Sequence, residues 1–213
     1  MVKTVFIQTL IISLFIFSTG FYLGDYIESQ RADYIQDLSF RAETNRLDLN
    51  TQISMFDKLD CETIRSETIG LADDTYFDAI DLEKMEKSEV YSDKLYEIHR
   101  KYDLTRTIIW KITDDQKRCF EDYNIIVYLY QYLDPSYESE LKQDYFAALT
   151  GEVKRNTNNT ILIPIAYDTD INSLKLIMNI LEIEEKTQLV INNEHFVSEL
   201  ISKKDLLNLI NTD

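Results

Sequence analysis

Cys61 and Cys119 are the residues of this chain best suited to covalent chemistry. Thiols can form disulfides, attack other disulfides or bind metals, and these two lie too far apart to form a Cys-x-x-Cys pair. Three roles are open to them: a structural disulfide, a thiol–disulfide exchange pair, or two independent buried thiols. The choice depends on the elements that carry them.

Other side chains that could do chemistry form weaker patterns. His99 and His195 fall in different predicted elements, so we expect ordinary surface histidines with no catalytic or metal-binding role. A group of acidic residues lacks the spacing and central glycine of a calcium-binding EF-hand and predicts a solvated helix face: Asp73, Asp74, Asp78, Asp81 and Glu83. We therefore predict no metal site and no cofactor.

Asn158 begins the sequence Asn158-Asn159-Thr160, an acceptor motif for N-glycosylation in a polar loop. The motif can be used only if this part of the chain lies outside the cytoplasm. Such short motifs also occur by chance, so both interpretations stay open.

Composition limits the classes of function. The formal net charge is -16 and no run is rich in Lys and Arg, which disfavours contact with phosphate backbones. We therefore predict that nucleic acid is not a partner. Only 4 glycines and 2 prolines are present, and this scarcity of turn residues predicts a largely helical chain.

Residues 4–24 carry no charge and are long enough to cross a membrane as a helix. No small-residue cleavage site follows before Asp25, which favours a transmembrane signal anchor over a cleaved signal peptide. Lys3 and the α-amino group precede the span, and mainly acidic residues follow it. The positive-inside rule then places the N-terminus in the cytoplasm and the C-terminal region outside the cell.

The pattern of residues 25–121 predicts a stalk of three amphipathic helices, of which the second covers residues 62–85. The first has a heptad seam at Ile35, Leu38, Ala42, Asn45, Leu49, Gln52, Phe56 and Leu59. The third has one at Tyr91, Leu95, Ile98, Tyr102, Thr105, Ile109, Ile112, Gln116 and Cys119. Asn45 and Gln52 suit the edge of an apolar face, but they could also fix the register of a coiled-coil homo-oligomer.

Short connections between the helices imply an up, down, up order. Cys61 and Cys119 then lie at the same, membrane-distal end, where their Cα atoms can approach the roughly 4.4–6.8 Å that a disulfide requires. If the first and third helices were antiparallel partners, the two cysteines would be about 40 Å apart. We therefore predict a Cys61–Cys119 disulfide, with two independent buried thiols as the alternative.

Residues 122–213 alternate strands and helices in the order β-α-β-α-β-β-α. The first strand–helix–strand unit implies a parallel pair, and the closing hairpin extends the sheet with antiparallel strands. The residues assigned to helix starts and to the hairpin turn are Asp134 with Pro135, Asp170, Asn192-Asn193, and Ser202 with Asp205.

This order resembles the thioredoxin fold, and TQLVINNEHFVSELISKKDLLNLI resembles the closing hairpin and helix of glutaredoxin-like domains. The whole chain resembles a family of archaeal membrane-anchored proteins with a signal anchor, a helical region containing two separated cysteines, and a C-terminal thioredoxin-like domain. The resemblance rests on this layout, on Cys61 in LDCETI, on Cys119 ending RTIIWKITDDQKRC, and on the strand that follows. It implies an α+β chain with domains at 1–24, 25–121 and 122–213.

Redox-active members of the thioredoxin-like family that this chain resembles carry a Cys-Pro-x-Cys motif after the first strand. The corresponding residues here are Asp134-Pro135-Ser136-Tyr137. Neither Asp134 nor Tyr137 has a thiol, so neither can take part in thiol–disulfide exchange. The cis-proline that such domains place before the third strand is also missing, since Lys186 precedes Thr187. The resemblance therefore implies a lost dithiol site, while Asp134-Pro135 alone would be an ordinary helix start.

Tyrosines are concentrated around this junction, and they suit either an aromatic binding surface or the filling of a core by alternating strand residues: Tyr123, Tyr128, Tyr130, Tyr132, Tyr137 and Tyr145. The function that we predict is a non-catalytic, membrane-anchored binding or scaffold subunit of the cell envelope with a protein partner. One alternative is an extracytoplasmic thiol–disulfide oxidoreductase that uses Cys61 and Cys119. Another is a subunit embedded in a membrane complex, with polar contacts in the bilayer from Gln8, Thr9, Ser13 and Ser18.

Overall fold

The computed structural model describes residues 2–86, 92–184 and 186–210, and it leaves out the side chains of 2–4, 81, 83–86, 92 and 93. Tyr91 and the side chains of Lys3, Asp81 and Glu83, which entered the predictions, lie outside the described residues. The helices are α1 (Val2–Ile53), α2 (Cys61–Glu86), α3 (Ser92–Asp115), α4 (Tyr137–Asn156), α5 (Asn172–Ile180) and α6 (Lys203–Ile210). The strands are β1 (Asn124–Tyr130), β2 (Thr160–Ala166), β3 (Gln188–Ile191) and β4 (His195–Val197).

The chain divides into two compact units, residues 1–43 and 44–213. The first unit is helical throughout its described residues and is long and apolar enough to span a membrane. The large apolar side chains of residues 5–27 are exposed, including Phe6, Phe15 and Phe17 at 70%, 69% and 71%. The hydroxyl of Thr9 donates to the carbonyl of Val5 in the same helix at 2.9 Å, which satisfies this polar group without a second helix.

The second unit is built on a four-stranded sheet with the order β2-β1-β3-β4. β1 pairs with β2 in parallel and with β3 in antiparallel, and β3 pairs with β4 in antiparallel, as the sequence pattern predicted. Pro164 lies in β2, an edge strand, where the missing N–H interrupts no central ladder. The predicted order of elements after residue 122 is therefore present.

Side chains of β1 alternate between two cores. Val127 and Leu129 pack with residues of α2, α3 and α5 on one face of the sheet. Ile126 and Tyr128 pack with residues of α4 and α6 on the other. α2 and α3 thus share a hydrophobic core with the sheet, and one compact unit combines much of the predicted stalk with the predicted C-terminal domain.

The predicted seams mark the buried faces of the helices within this unit. Leu49 and Phe56 from the first seam belong to the core, whereas Asn45 is exposed, which agrees with an edge position. The buried members of the third seam are Leu95, Ile98, Tyr102, Thr105, Ile109, Ile112 and Cys119. Heptad spacing therefore reports burial against the unit's own core, and pairing with a second copy stays a prediction.

Two predicted helix starts are wrong. α4 has Ser136 as its N-cap, whose hydroxyl accepts the N–H of Ser139 at 3.2 Å, and Asp134 takes a left-handed φ of 43°. An N-cap requires extended backbone, which Ser136 has and Asp134 lacks. Asp170 likewise has a φ of 53°, so Ile171 occupies the N-cap of α5 and the carboxylate of Asp170 accepts from Lys175 instead.

The predicted start of α6 and the hairpin turn are confirmed. Ser202 and Asp205 bond reciprocally, with Ser202 Oγ accepting the N–H of Asp205 at 3.2 Å. Asn192 and Asn193 both have positive φ, which asparagine tolerates better than most residues. Asn193 Oδ1 also accepts the indole N–H of Trp110 at 2.7 Å, so the hairpin tip is fastened to α3.

The structure confirms the predicted disulfide between Cys61 and Cys119, whose Cα atoms are 4.9 Å apart. Cys61 opens α2, and Cys119 ends the short 3-10 turn after α3. The hydroxyl of Tyr102 donates to Asp78 at 3.2 Å further along, so α2 and α3 are antiparallel neighbours. The disulfide therefore closes the open end of this helical hairpin.

We expect Cys61→Ser with Cys119→Ser to lower the free energy of unfolding by about 4 kcal/mol, because the bond closes a separation of 58 residues. Trp110, the only tryptophan and 1% exposed, gives the fluorescence signal for denaturant unfolding. Reductant should lower the stability of the natural chain similarly and leave the double variant unchanged. Quantitative labelling of both thiols in the native protein without reductant would contradict the bond.

Candidate binding cleft

The junction between β1 and α4, where the sequence placed a degenerate redox motif, is an ordered polar turn. The N–H groups of Tyr132 and Leu133 each donate to the carboxylate of Asp168 at 2.8 Å, which ties the end of β1 to the loop after β2. Tyr137, the first residue of α4, is 75% exposed. Asp134 and Tyr137 thus lie at the surface, with no sulfur at either position.

The disulfide lies at the other end of β1. Cys119 precedes the amino end of this strand, and Asp134 follows its carboxyl end. A strand of 7 residues spans roughly 20 Å. Cys61 and Cys119 therefore cannot substitute for thiols at the β1–α4 junction.

A buried carboxylate on α3 organises the region at the carboxyl ends of β1 and β2. Asp103 is 0% exposed and accepts from Arg106 Nη1 at 3.1 Å, from the N–H of Ala166 at 3.3 Å and from Thr169 Oγ1 at 3.2 Å. These bonds tie the middle of α3 to the carboxyl end of β2. Burial raises the pKa of Asp103, and the positive charges of His99 and Arg106 oppose that rise.

His99 adds an aromatic link to this network. Its Nε2 lies 2.8 Å from Tyr130 Oη and 3.5 Å from Asp103 Oδ2. Its ring packs on that of Tyr132, with centroids 3.9 Å apart. His99 is only 8% exposed, so the expectation of a surface histidine is wrong for this residue, while His195 is exposed as expected.

A cleft of about 350 Å³ opens beside this network. Its wall is formed by side chains of α2, α3, α4, β1, β2 and the loop after β1, all within the second unit. Tyrosines provide much of the lining, and the ring centroids of Tyr128 and Tyr130 are 5.5 Å apart. Lys154 of α4 bonds Asp73 of α2 at 2.6 Å, an ion pair that connects two of these walls.

The predicted tyrosine group separates into different environments. Tyr128 is buried and donates to the carbonyl of Gln143 at 2.9 Å, while Tyr130 and Tyr132 reach the cleft partly exposed. Tyr145 donates to the carbonyl of Ile201 at 2.6 Å, which fastens α4 to the segment before α6. Core filling and an aromatic surface, which the sequence left as alternatives, thus occur side by side.

The acceptor motif lies in the turn between α4 and β2. Asn158 is exposed, whereas Thr160 is buried at 6% exposure and its Oγ1 accepts from Thr157 at 2.7 Å. Glycan transfer to Asn158 would therefore have to precede folding of this turn, and its use stays a prediction.

Sequence reasoning missed the cleft's polar residues, although their spacing carried a signal. His99, Asp103 and Arg106 follow an i, i+4, i+7 pattern, which places them on one face of α3. This face lies one residue, or about 100°, around the helix from the apolar seam, so polar residues there had to be either solvated or buried and paired. No three His, Cys, Asp or Glu side chains among the described residues form a group that could hold a metal ion.

No family model, curated protein or solved structure matches this chain. The function of the cleft therefore rests on its own geometry and charge.

We expect Asp103→Ala to lower the free energy of unfolding by about 3–5 kcal/mol, because the guanidinium of Arg106, itself 4% exposed, loses its counter-charge. Asp103→Asn keeps an acceptor for Ala166 and Thr169 and should cost less. Glu97→Ala removes an exposed carboxylate from the same helix and should cost less than about 1 kcal/mol. Equal, small losses in denaturant unfolding for the two alanine variants would contradict a structural role for Asp103.

Proposed function

We propose that the protein is a single-pass membrane-anchored, thioredoxin-like binding or scaffold subunit of the cell envelope, with no redox catalysis of its own. The second unit would lie outside the cytoplasm and present its cleft to a partner. The observation that carries this proposal is the position of the only two cysteines, which are joined to each other away from the β1–α4 junction.

The properties of the first unit support the proposal of a membrane anchor. An apolar helix with its large side chains exposed is unfavourable in water and favourable in hydrocarbon, at about 25 cal/mol for each Å² of apolar surface. A disulfide supports an oxidising compartment, since thiols are kept reduced in most cytosols. Both observations agree with a second unit that faces outward.

The topology of the second unit supports a thioredoxin-like domain. A parallel β1–α4–β2 unit is followed by α5 and then by the antiparallel β3–β4 hairpin and α6. β1 lies at the centre, with α4 and α6 contributing to the core on one face. Such domains place reactive thiols at the carboxyl end of the first strand, and this chain has Asp134 and Tyr137 there.

A thiol–disulfide oxidoreductase based on Cys61 and Cys119 is the second candidate. One observation favours it: Cys61 is the first residue of α2 and is only half-buried, and a helix N-terminus stabilises a thiolate. Cys119 is 2% exposed, so the core shields it from an attacking thiol. Thiol–disulfide exchange requires an attacking thiolate to approach along the S–S axis, and the hydrophobic core around Cys119 restricts that approach.

We expect purified protein to show no catalytic disulfide reduction or isomerisation, because no thiol occupies the β1–α4 junction. The assay compares the natural chain with Cys61→Ser/Cys119→Ser and with an active thioredoxin at equal concentration. Turnover near that of the thioredoxin, lost in the double variant, would favour the oxidoreductase over the scaffold.

Topology is tested separately by adding protease to intact cells. We expect digestion of the region that follows residue 24, because the positive-inside rule places it outside. A cytoplasmic protein serves as the control for intact membranes. Protection of this region until the membrane is opened would contradict the proposed location.

A further inference from the structure

The cleft carries one carboxylate that forms no ion pair with the residues that the structure describes. Arg106 lines the cleft, but its guanidinium is paired with the buried carboxylate of Asp103. Asp144 of α4 also lines the cleft, and its side chain makes no hydrogen bond or ion pair with any residue that the structure describes. Asp144 is exposed and lines the cleft, so its carboxylate is available to a cationic ligand.

Aromatic rings surround the same space. The cleft is lined by Tyr76 from α2, by Tyr128 and Tyr130 from β1, and by Tyr132 from the loop after β1. The faces of tyrosine rings attract organic cations, with a gain that grows when the site is partly shielded from water. Burial raises the pKa of the Tyr128 hydroxyl, and the negative charge of Asp144 raises it further, so this ring stays uncharged and its neighbour is a carboxylate.

The size and composition of the cleft fit a side chain or a small amine. Its volume of about 350 Å³ is at the lower end of the range for ligand pockets. Gln131 and Gln143 add side-chain amides to the lining, and both bond Ser139, which holds them in place. Polar groups fixed beside aromatic faces are what orient a ligand in such pockets.

We propose that this cleft binds an organic cation, an alkylammonium or guanidinium group, with Asp144 as its counter-ion and the tyrosine rings as its walls. The cation can come from a Lys or Arg side chain of a partner protein or from a free amine. The inference depends only on the cleft, so it stands independently of the proposed location and of thiol chemistry.

The test uses the full chain in detergent micelles with three probes of known charge. N-acetyl-lysine N-methylamide represents a protein side chain, choline chloride represents a free amine, and N-acetyl-norleucine N-methylamide is a neutral match for the first. Titration calorimetry gives the affinity, and NMR shifts of the side-chain amides of Gln131 and Gln143 report where the probe binds. We expect at least one cationic probe to bind at least about fivefold more tightly than the neutral probe and to shift both amides.

Asp144→Asn should weaken binding of the cationic probe by about fivefold or more while leaving the neutral probe unchanged. Glu138→Gln makes the same charge change at an exposed position of α4 outside the cleft and should leave every affinity unchanged. Preference for the lysine probe would support a protein segment as the ligand, and preference for choline would support a free amine.

Equal affinity for charged and neutral probes would overturn the proposal. So would absence of binding by both cations, an equal loss in Asp144→Asn and Glu138→Gln, or binding without shifts at Gln131 and Gln143. The results of the thiol–disulfide exchange assay and of the protease assay do not depend on cation binding. Failure of the cation site and failure of the proposed function can therefore be told apart.

Discussion

A fully buried carboxylate is the constraint on which the second unit depends. Removing the charge of Asp103 from water is costly, and the cost is met only when the surrounding groups are held in fixed positions. Those groups are Arg106 on the same helix and Ala166 and Thr169 at the end of β2. The requirement fixes α3 against the sheet and, through His99, fixes Tyr130 at the edge of the cleft.

The far end of α3 is held by different chemistry. The Cys61–Cys119 disulfide closes the α2–α3 hairpin, and Trp110 bonds the β3–β4 turn through Asn193. α3 is therefore attached to the sheet at its middle and near its end, and α2 is attached to α3. A cleft whose walls come from both helices and the sheet is shaped in advance, which reduces the ordering cost of binding.

Local patterns in the sequence predicted local structure well. Heptad spacing identified the later part of α1 and α3, Asn192-Asn193 identified the hairpin turn, and Ser202 with Asp205 identified the start of α6. The starts of α4 and α5 were missed because Asp134 and Asp170 take left-handed backbone, which asparagine and aspartate adopt in turns as readily as they cap helices. The cleft was missed because packing of a helical hairpin on a sheet is a long-range contact, and polar residues on α3 have the same spacing whether they are solvated or buried.

The α2–α3 hairpin and the sheet share one hydrophobic core, so we expect them to form one cooperative unit, instead of a stalk with a separate domain at its end. Native-state hydrogen exchange on the full chain in micelles tests it most directly, because independent units open with independent free energies. We predict that the amides of α3 around Asp103 and those of β1 around Val127 exchange with the same, highest free energy of opening. Exchange of α3 at a clearly lower free energy, with β1 still protected, would contradict this account.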